Sequence, residues 1–277
     1  MSRYRRHYRG RKPPSMWGII ILVLFLCPPA GIIAIIAKLF LDYKGKTSKK
    51  PKTKLKVLKG KDYLSSTYFK ETGNYYETVM NDKGMKGEYM LFEQLKGFKR
   101  RGAKFLFNVY LPKEDGTTTE LDVLMITPYA IFVFESKNYS GWIFGNEKQK
   151  EWTQGIYQAG KQEVLKSHFY NPIFQNRNHI RHLRKVLGDE NAPIYSVVVF
   201  SDNCELKSIT NTDPEVSVIN LNQVVETVQD ICSRVNIECF SSEDIERIKE
   251  ELSKYANADA SLKQKHIDDI NSFRQKD

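Results

Sequence analysis

The sequence predicts an α/β domain, and three features support that fold class. Residues 120–137 are rich in Val, Ile and Phe and have the composition of two buried strands joined by a tight turn. Residues 83–95 precede them and repeat their apolar side chains at helical spacing. A helical pattern over residues 171–187 is followed by a short, Val-rich strand over 194–201. Helices and strands in this order are typical of an α/β fold.

The predicted hairpin over residues 120–137 carries charged side chains within its apolar strands. If the turn closes symmetrically about Pro128-Tyr129, Asp122 lies opposite Glu135. Opposed residues on one face of a sheet have Cβ atoms about 5 Å apart, so two buried carboxylates would repel there, and one would be neutral unless a cation is bound. Lys137 shares the strand parity of Glu135 and is expected on the same face. The sequence therefore predicts that two acids and an amine converge.

The helix predicted over residues 83–95 carries a glutamate on its apolar stripe. Glu88 therefore faces the interior, whereas Glu93 is expected on the solvent side. Glu88 is either a partly exposed edge residue or a ligand. Two glycines near it permit a close approach of the helix to a backbone or a phosphate. The stripe consists of Met85, Glu88, Phe92 and Leu95, and the glycines are Gly84 and Gly87.

The remaining segments are assigned by local pattern. Residues 62–82 are predicted to be an amphipathic linker with one docking helix, and residues 105–111 a strand that ends in a hairpin turn. Two short strands are expected over 141–144 and 150–154, and residues 202–277 are expected to form a helical C-terminal extension.

The positive charge of the chain is concentrated near its N-terminus. The 277 residues have a net charge of +10. Residues 1–61 contain 16 Lys and Arg against one acid, Asp42, while the rest contains 27 basic and 32 acidic residues. This distribution favours an anionic lipid surface over nucleic acid as the partner of the basic segment.

Residues 16–43 are predicted to be a membrane segment between a basic arm (1–15) and a basic tether (44–61). The apolar run is about 25 residues long, enough to cross a hydrocarbon core of about 30 Å. Pro28-Pro29 lies at its centre and either kinks a single span or separates the two halves of a membrane hairpin. The basic tether places the following domain on the cytoplasmic side.

Several short motifs follow one another through the middle of the chain. They are Lys86-Gly87-Glu88, Glu120-Leu121-Asp122, Phe134-Glu135-Ser136-Lys137-Asn138-Tyr139-Ser140-Gly141, Trp152, and Asn171-Pro172-Ile173-Phe174-Gln175-Asn176 before His179. This ordered set resembles the NERD (nuclease-related) domain, a branch of the PD-(D/E)XK nuclease-like superfamily. The resemblance covers about residues 84–187, and the nuclease-like domain is predicted to extend over residues 83–201.

The resemblance implies a restriction-endonuclease-like αβββαβ core with a mixed central sheet. It also implies a site for Mg²⁺ or Mn²⁺ and a role for each of six residues. Asp122 and Glu135 would hold the cation together with the backbone carbonyl of Ser136. Glu88 would support the cation from the helix, Lys137 would orient or activate the attacking water, and Gln175 would complete the site.

The expected function is a membrane-tethered, metal-dependent nuclease that acts on DNA or RNA. Two alternatives of other classes stay open: a nucleic-acid-binding or sensing module that keeps the fold without turnover, and a membrane scaffold. At the site itself, the alternative is structural. Lys137 would then form an ion pair with Glu135, or with Glu120 across the sheet.

Overall fold

The computed structural model describes residues 61–158, 160, 163–256, 264–266 and 268. The predicted arm (1–15), the membrane segment (16–43) and all but the last residue of the tether (44–61) lie outside these residues. Among the helices that the structure describes, none is long and apolar enough to cross a membrane.

The described residues form helices and strands that alternate as an α/β fold. The helices are α1 Lys61–Leu64, α2 Thr67–Thr72, α3 Tyr76–Asn81, α4 Lys83–Leu95, α5 Pro172–Leu187, α6 Val224–Val235 and α7 Ser242–Ser253, with 3₁₀ turns at Lys96–Arg101 and Leu221–Gln223. The strands are β1 Lys104–Pro112, β2 Thr118–Ile126, β3 Ile131–Lys137, β4 Gly141–Asn146, β5 Glu151–Gln158, β6 Glu163–Tyr170, β7 Ile194–Phe200, β8 Cys204–Thr210 and β9 Val216–Asn220.

A mixed five-stranded sheet in the order β1-β2-β3-β7-β9 forms the centre of the domain. The pairs β1–β2 and β2–β3 are antiparallel, and the pairs β3–β7 and β7–β9 are parallel. Helices α4 and α6 cover one face with Phe132 and Phe134, while α5 and α7 cover the other with Ile131 and Val133. Because both faces are covered, the central strands are apolar on both sides.

A second sheet, in the order β6-β5-β4-β8, packs beside the first. Its inner face contributes Ile143 and Trp152 to a third apolar cluster, which also contains Phe200 of β7. The strands predicted over 141–144 and 150–154 are confirmed as β4 and β5. Strand β6 was not predicted, because most of its side chains are exposed and no apolar alternation marks it.

The register of the predicted hairpin is confirmed. Thr127 N–H donates to the carbonyl of Ala130 at 3.0 Å, which closes the turn about Pro128-Tyr129. The ladder then runs from Ile126 opposite Ile131 to Val123 opposite Phe134. A two-residue turn fixes which residues pair along the rest of a hairpin. The turn sequence alone was therefore enough to predict the register.

Helix α4 has the predicted bounds, but the prediction for Glu93 is wrong. The helix begins at its N-cap Asp82, whose side chain accepts a hydrogen bond from Met85 N–H at 2.8 Å. Glu93 is only 3% exposed and forms an ion pair with Lys96 at 2.9 Å. Because α4 contacts the sheet, α3 and α6, it buries more than one stripe of its surface.

The segments on either side of residues 83–201 differ from their predictions. Residues 62–82 form three short helices instead of one, and Tyr63 and Tyr68 are fully buried in the same core as α4. Residues 202–277 were expected to be helical, yet β8 and β9 precede the two helices. These strands pair in parallel with β4 and β7, which lie distant in sequence, so their hydrogen bonds could not be inferred locally.

Candidate functional site

The candidate site lies where β2 and β3 separate. Their ladder ends at Val123 and Phe134, one rung before the position at which Asp122 would face Glu135. Asp122 instead accepts a hydrogen bond through Oδ2 from Ser136 N–H at 2.8 Å. The side chain of Asp122 therefore replaces the next backbone hydrogen bond and fixes the carboxylate at the end of the ladder.

Side-chain alternation is interrupted on β1 at Asn108. Phe107 packs on the α4 side of the sheet, but Val109, two residues later, packs on the α5 side. Asn108 has a φ of +48°, in the left-handed region that asparagine tolerates better than most residues. By the register of β1 and β2, Asn108 lies opposite Asp122.

A matching break occurs on β2 at Asp122. Leu121 packs on the α5 side and Val123 on the α4 side, so the two strands change faces at the same rung and keep their register. As a result, Glu120 turns to the α4 side, where Asn108 Nδ2 lies 3.4 Å from its Oε1.

Glu135 and Lys137 form a buried ion pair. Lys137 Nζ donates to Glu135 Oε1 at 2.6 Å and to Gln175 Oε1 of α5 at 3.2 Å. Burial opposes the charge on both residues, but their mutual attraction outweighs it: the pKa of Lys137 is raised, and the pKa of Glu135 is lowered by Lys137 and His179. The predicted parity of Glu135 and Lys137 is therefore confirmed, and both are ionised at neutral pH.

A histidine holds the other oxygen of Glu135. His179 Nε2 of α5 lies 3.2 Å from Glu135 Oε2, and its Nδ1 lies 2.7 Å from Thr119 Oγ1 of β2. Both oxygens of Glu135 are thus hydrogen-bonded, and the side chain is only 1% exposed.

Glu88 reaches the site from α4. Asn108 Nδ2 donates to its Oε2 at 3.2 Å, and the Tyr68 hydroxyl lies 3.5 Å from the same oxygen. Burial, and then the negative charge of Glu120, raise the pKa of Glu88 to about 8. Glu88 is therefore largely protonated near neutral pH.

Gly87 allows α4 to pack against the end of β3. A Cβ atom at this position would lie 2.7 Å from Ser136 Oγ and 3.1 Å from Asn138 Cβ. The predicted close approach therefore occurs at Gly87, but the helix meets side-chain atoms of Ser136 and Asn138 there and not backbone or a phosphate. At Gly84, a Cβ atom would meet only the cap residue Asp82, at 3.3 Å.

Asp122 lies between two other acids and is half-buried. Burial raises its pKa well above the usual value, and the charges of Glu135 and Glu88 raise it further; Lys137 and the Ser136 N–H oppose them. The site thus contains more carboxylates than cations, and either a proton or a bound cation must compensate. No group of three or more His, Cys, Asp or Glu within the described chain is arranged to hold a metal ion.

The structure brings all the predicted side chains together: Glu88, Asp122, Glu135, Lys137 and Gln175. The Lys137 carbonyl accepts from Ser201 N–H at 3.0 Å, towards β7. Successive carbonyls of a strand alternate in direction, so the Ser136 carbonyl points towards β2.

Of the two ion pairs predicted for Lys137, with Glu135 or with Glu120, the structure contains one. The ion pair between Lys137 and Glu135 is present, but the predicted pairing of Lys137 with Glu120 is wrong. Because of the change of faces at Asp122, Glu120 accepts instead from the Tyr110 hydroxyl at 2.6 Å.

Sequence reasoning missed Asn108, Thr119 and the contact of His179 with Glu135. An asparagine inside an apolar strand was a usable signal for the first. The other two depend on how α5 packs over the sheet, which no local pattern specifies.

Parts of the chain are similar in sequence to known proteins. Residues 83–201 match the family model NERD, described as a nuclease-related domain. The match begins at the first residue of α4 and includes every predicted site residue. An uncharacterized protein of Bacillus anthracis is 29% identical over 185 residues, which cover 67% of this chain and 82% of that protein.

Proposed function

We propose that the nuclease-related domain at residues 83–201 hydrolyses phosphodiester bonds in DNA or RNA with the help of Mg²⁺ or Mn²⁺. One observation carries the proposal: Asp122, Glu135 and the Lys137 amine meet where β2 and β3 separate, and Glu135 Oε1 and Lys137 Nζ are 2.6 Å apart. Hydrolysis of a phosphodiester needs an oriented water and positive charge near the phosphate oxygens.

The donor set fits a hard divalent cation. Carboxylate and carbonyl oxygens suit Mg²⁺, which retains several waters and takes only one or two protein acids. Asp122, Glu135 and the Ser136 carbonyl would hold it, and Glu88 would support it from α4. The raised pKa of Asp122 supports this assignment, because a bound cation would relieve the crowding of charge that causes it. When bound, the cation supplies charge neutralisation at the phosphate and a more acidic water.

Among the described residues whose side chains contact Glu135, Lys137 is the only lysine. Its Nζ is held at 2.6 Å by Glu135 and at 3.2 Å by Gln175, and one ammonium proton remains to donate to a phosphate oxygen or an attacking water. Gln175 accepts from the amine and so orients it. We assign Lys137 the stabilisation of charge at phosphorus and Gln175 the placement of Lys137.

A cleavage assay on the full-length protein tests the proposal. We expect cleavage of labelled single- or double-stranded DNA or RNA with Mg²⁺ or Mn²⁺, none with EDTA, and a loss of about 100-fold or more in Asp122→Asn and Lys137→Met. Lys207→Met is the matched control, because Lys207 pairs with a glutamate two residues earlier on its strand at 2.5 Å, as Lys137 does, but is exposed. Cleavage that survives both site substitutions would disprove the assignment.

A binding or sensing module is the second candidate, and a specific observation favours it. Both oxygens of Glu135 are already hydrogen-bonded by Lys137 and His179, so this carboxylate is satisfied without a cation. Binding of nucleic acid without cleavage under any metal condition would select this candidate. If the protein neither binds nor cleaves nucleic acid, the membrane scaffold remains as the candidate function.

We further propose that residues 16–43 anchor the protein in a membrane, with the nuclease-related domain in the cytoplasm and the basic flanks at anionic lipid. The apolar run between two basic segments supports this. Extraction of membrane fractions with carbonate tests it: the full-length chain should remain in the pellet and a chain without residues 1–43 should be released. Cysteines introduced near Ser2 distinguish a single span from a hairpin by their access to a membrane-impermeant reagent.

A further inference from the structure

His179 connects the candidate site to the packing of α5 on the sheet. Thr119 and His179 are each 5% exposed, and Glu135 is 1% exposed. Together they form a continuous buried chain from β2 through α5 to β3, with contacts of 2.7 and 3.2 Å. Buried polar groups that are fully connected in this way fix the geometry of their members.

We infer that His179 is a positioning residue that fixes the carboxylate of Glu135 for cation binding, and that Thr119 orients His179 in turn. The inference rests on the proposed function, since it assigns Glu135 as a ligand. An ionised carboxylate only accepts hydrogen bonds, so His179 Nε2 carries a proton and donates it to Glu135 Oε2. The terminal torsion of a glutamate is otherwise broad, and this bond restricts it.

The geometry gives the two oxygens of Glu135 different partners. Oε2 faces His179 inside the protein, and Oε1 faces Lys137, whose side chain is 16% exposed. A cation at the end of the ladder would therefore bind Oε1 and share that oxygen with Lys137. Hydrogen bonds of this kind to a ligating group typically change metal affinity by about 10- to 100-fold.

Mn²⁺ affinity of the full-length protein, measured by calorimetry, tests the inference. His179→Leu removes the donor and should weaken Mn²⁺ binding by about 10- to 100-fold. His179→Gln can place an amide N–H near the same point and should restore affinity to within a few-fold. Thr119→Val removes the orienting hydroxyl but not His179, and should weaken binding less than His179→Leu does.

The chain contains a matched control for these substitutions. Thr153 Oγ1 and His168 Nδ1 form the same kind of pair between β5 and β6, at 3.2 Å, but are exposed and belong to the second sheet. His168→Leu and Thr153→Val should therefore leave Mn²⁺ affinity unchanged. Melting curves without metal identify variants that lose their fold, and Thr119→Val supplies the test if His179→Leu is among them.

The outcomes separate this inference from the proposed function. A folded His179→Leu protein with the parent's Mn²⁺ affinity, or a Gln variant no better than the Leu variant, would overturn the positioning role alone. A parent protein that binds no Mn²⁺ would overturn both. Mn²⁺ affinity that decreases in the order parent, His179→Gln, Thr119→Val and His179→Leu would support the positioning role.

Discussion

The protonation of Glu88 makes the stability of the protein depend on pH. Its folded-state pKa of about 8 lies above the ordinary glutamate value of 4.5, so folding favours the protonated form. The contribution of this group to stability is fully present below about pH 4.5 and decreases as the pH rises to about 8. The site therefore lowers the stability of the metal-free protein at neutral and alkaline pH.

We expect Glu88→Gln to melt at a higher temperature than the parent at pH 8 in EDTA, because the amide cannot ionise. The difference should vanish near pH 4.5. Each kcal/mol corresponds to roughly 2–4 °C in a domain of this size. Thermal denaturation across this pH range measures the effect, with the exposed Glu205→Gln as the control. A difference that is constant across pH would contradict the assignment.

The backbone of Asn108 gives a second prediction at the residue scale. Its φ of +48° costs an alanine about 1–2 kcal/mol but costs glycine nothing. We therefore expect Asn108→Gly to be more stable than Asn108→Ala, the reverse of the order in an ordinary strand. Urea unfolding of the two variants measures this. Equal stabilities would show that the left-handed conformation is not required.

Part of the geometry of the site could be predicted from the sequence. The parity of Glu135 and Lys137 follows from the two-residue period of a strand, and the register that brings Asp122 beside Glu135 follows from the two-residue turn. The contacts of Thr119 and Asn108 could not be predicted in this way. The first depends on how α5 docks, and the second on a break of alternation shared by two strands.

At the scale of elements, the fit of α4 against β3 depends on one glycine. Gly87→Ala would place Cβ 2.7 Å from Ser136 Oγ and 3.1 Å from Asn138 Cβ, so either these side chains or the helix that carries Glu88 must shift. We expect a loss of about 1–3 kcal/mol in unfolding free energy and reduced cleavage.

Gly97 offers the control for that substitution. A Cβ atom there meets nothing within 4 Å, and Gly97→Ala should be neutral or slightly stabilising. Urea unfolding and the cleavage assay measure both variants. A Gly87→Ala protein as stable and active as Gly97→Ala would mean that the close approach has no consequence.

Elements with strong local signals were predicted best. Helix α5 begins at the cap Asn171, continues with Pro172 at its first position and ends at Gly188, as its sequence indicates. Strands β6, β8 and β9 carry mostly half-exposed or exposed side chains, so they have no apolar period. Strands β8 and β9 depend on parallel partners that do not neighbour them in the chain, and β6 is added to the edge of β5 with little burial of its side chains.

At the scale of the whole molecule, the cluster of acids predicts that Mn²⁺ stabilises the parent protein and has little effect on the Asp122→Asn variant. The parent should gain thermal stability from Mn²⁺, by about 2.7 kcal/mol at a concentration of 100 times Kd. Asp122→Asn should be more stable than the parent in EDTA at pH 8, because it lacks one carboxylate that is crowded by Glu135 and Glu88, and should gain little from Mn²⁺. Thermal shift with and without the ion measures both, and a parent that does not respond would contradict the prediction.

The partners of β4 and β7 determine how much of the chain can fold as an independent unit. A chain cut to the family-matched range of 83–201 would lack β9 beside β7 and β8 beside β4, and would also lack the aromatic residues of α1 and α2. Two bare strand edges and an uncovered apolar face favour self-association. The independent folding unit therefore extends from about residue 61 past residue 256 to at least His266, which is buried against Tyr110 and Thr118. Recombinant fragments cut to the family-matched range alone should precipitate.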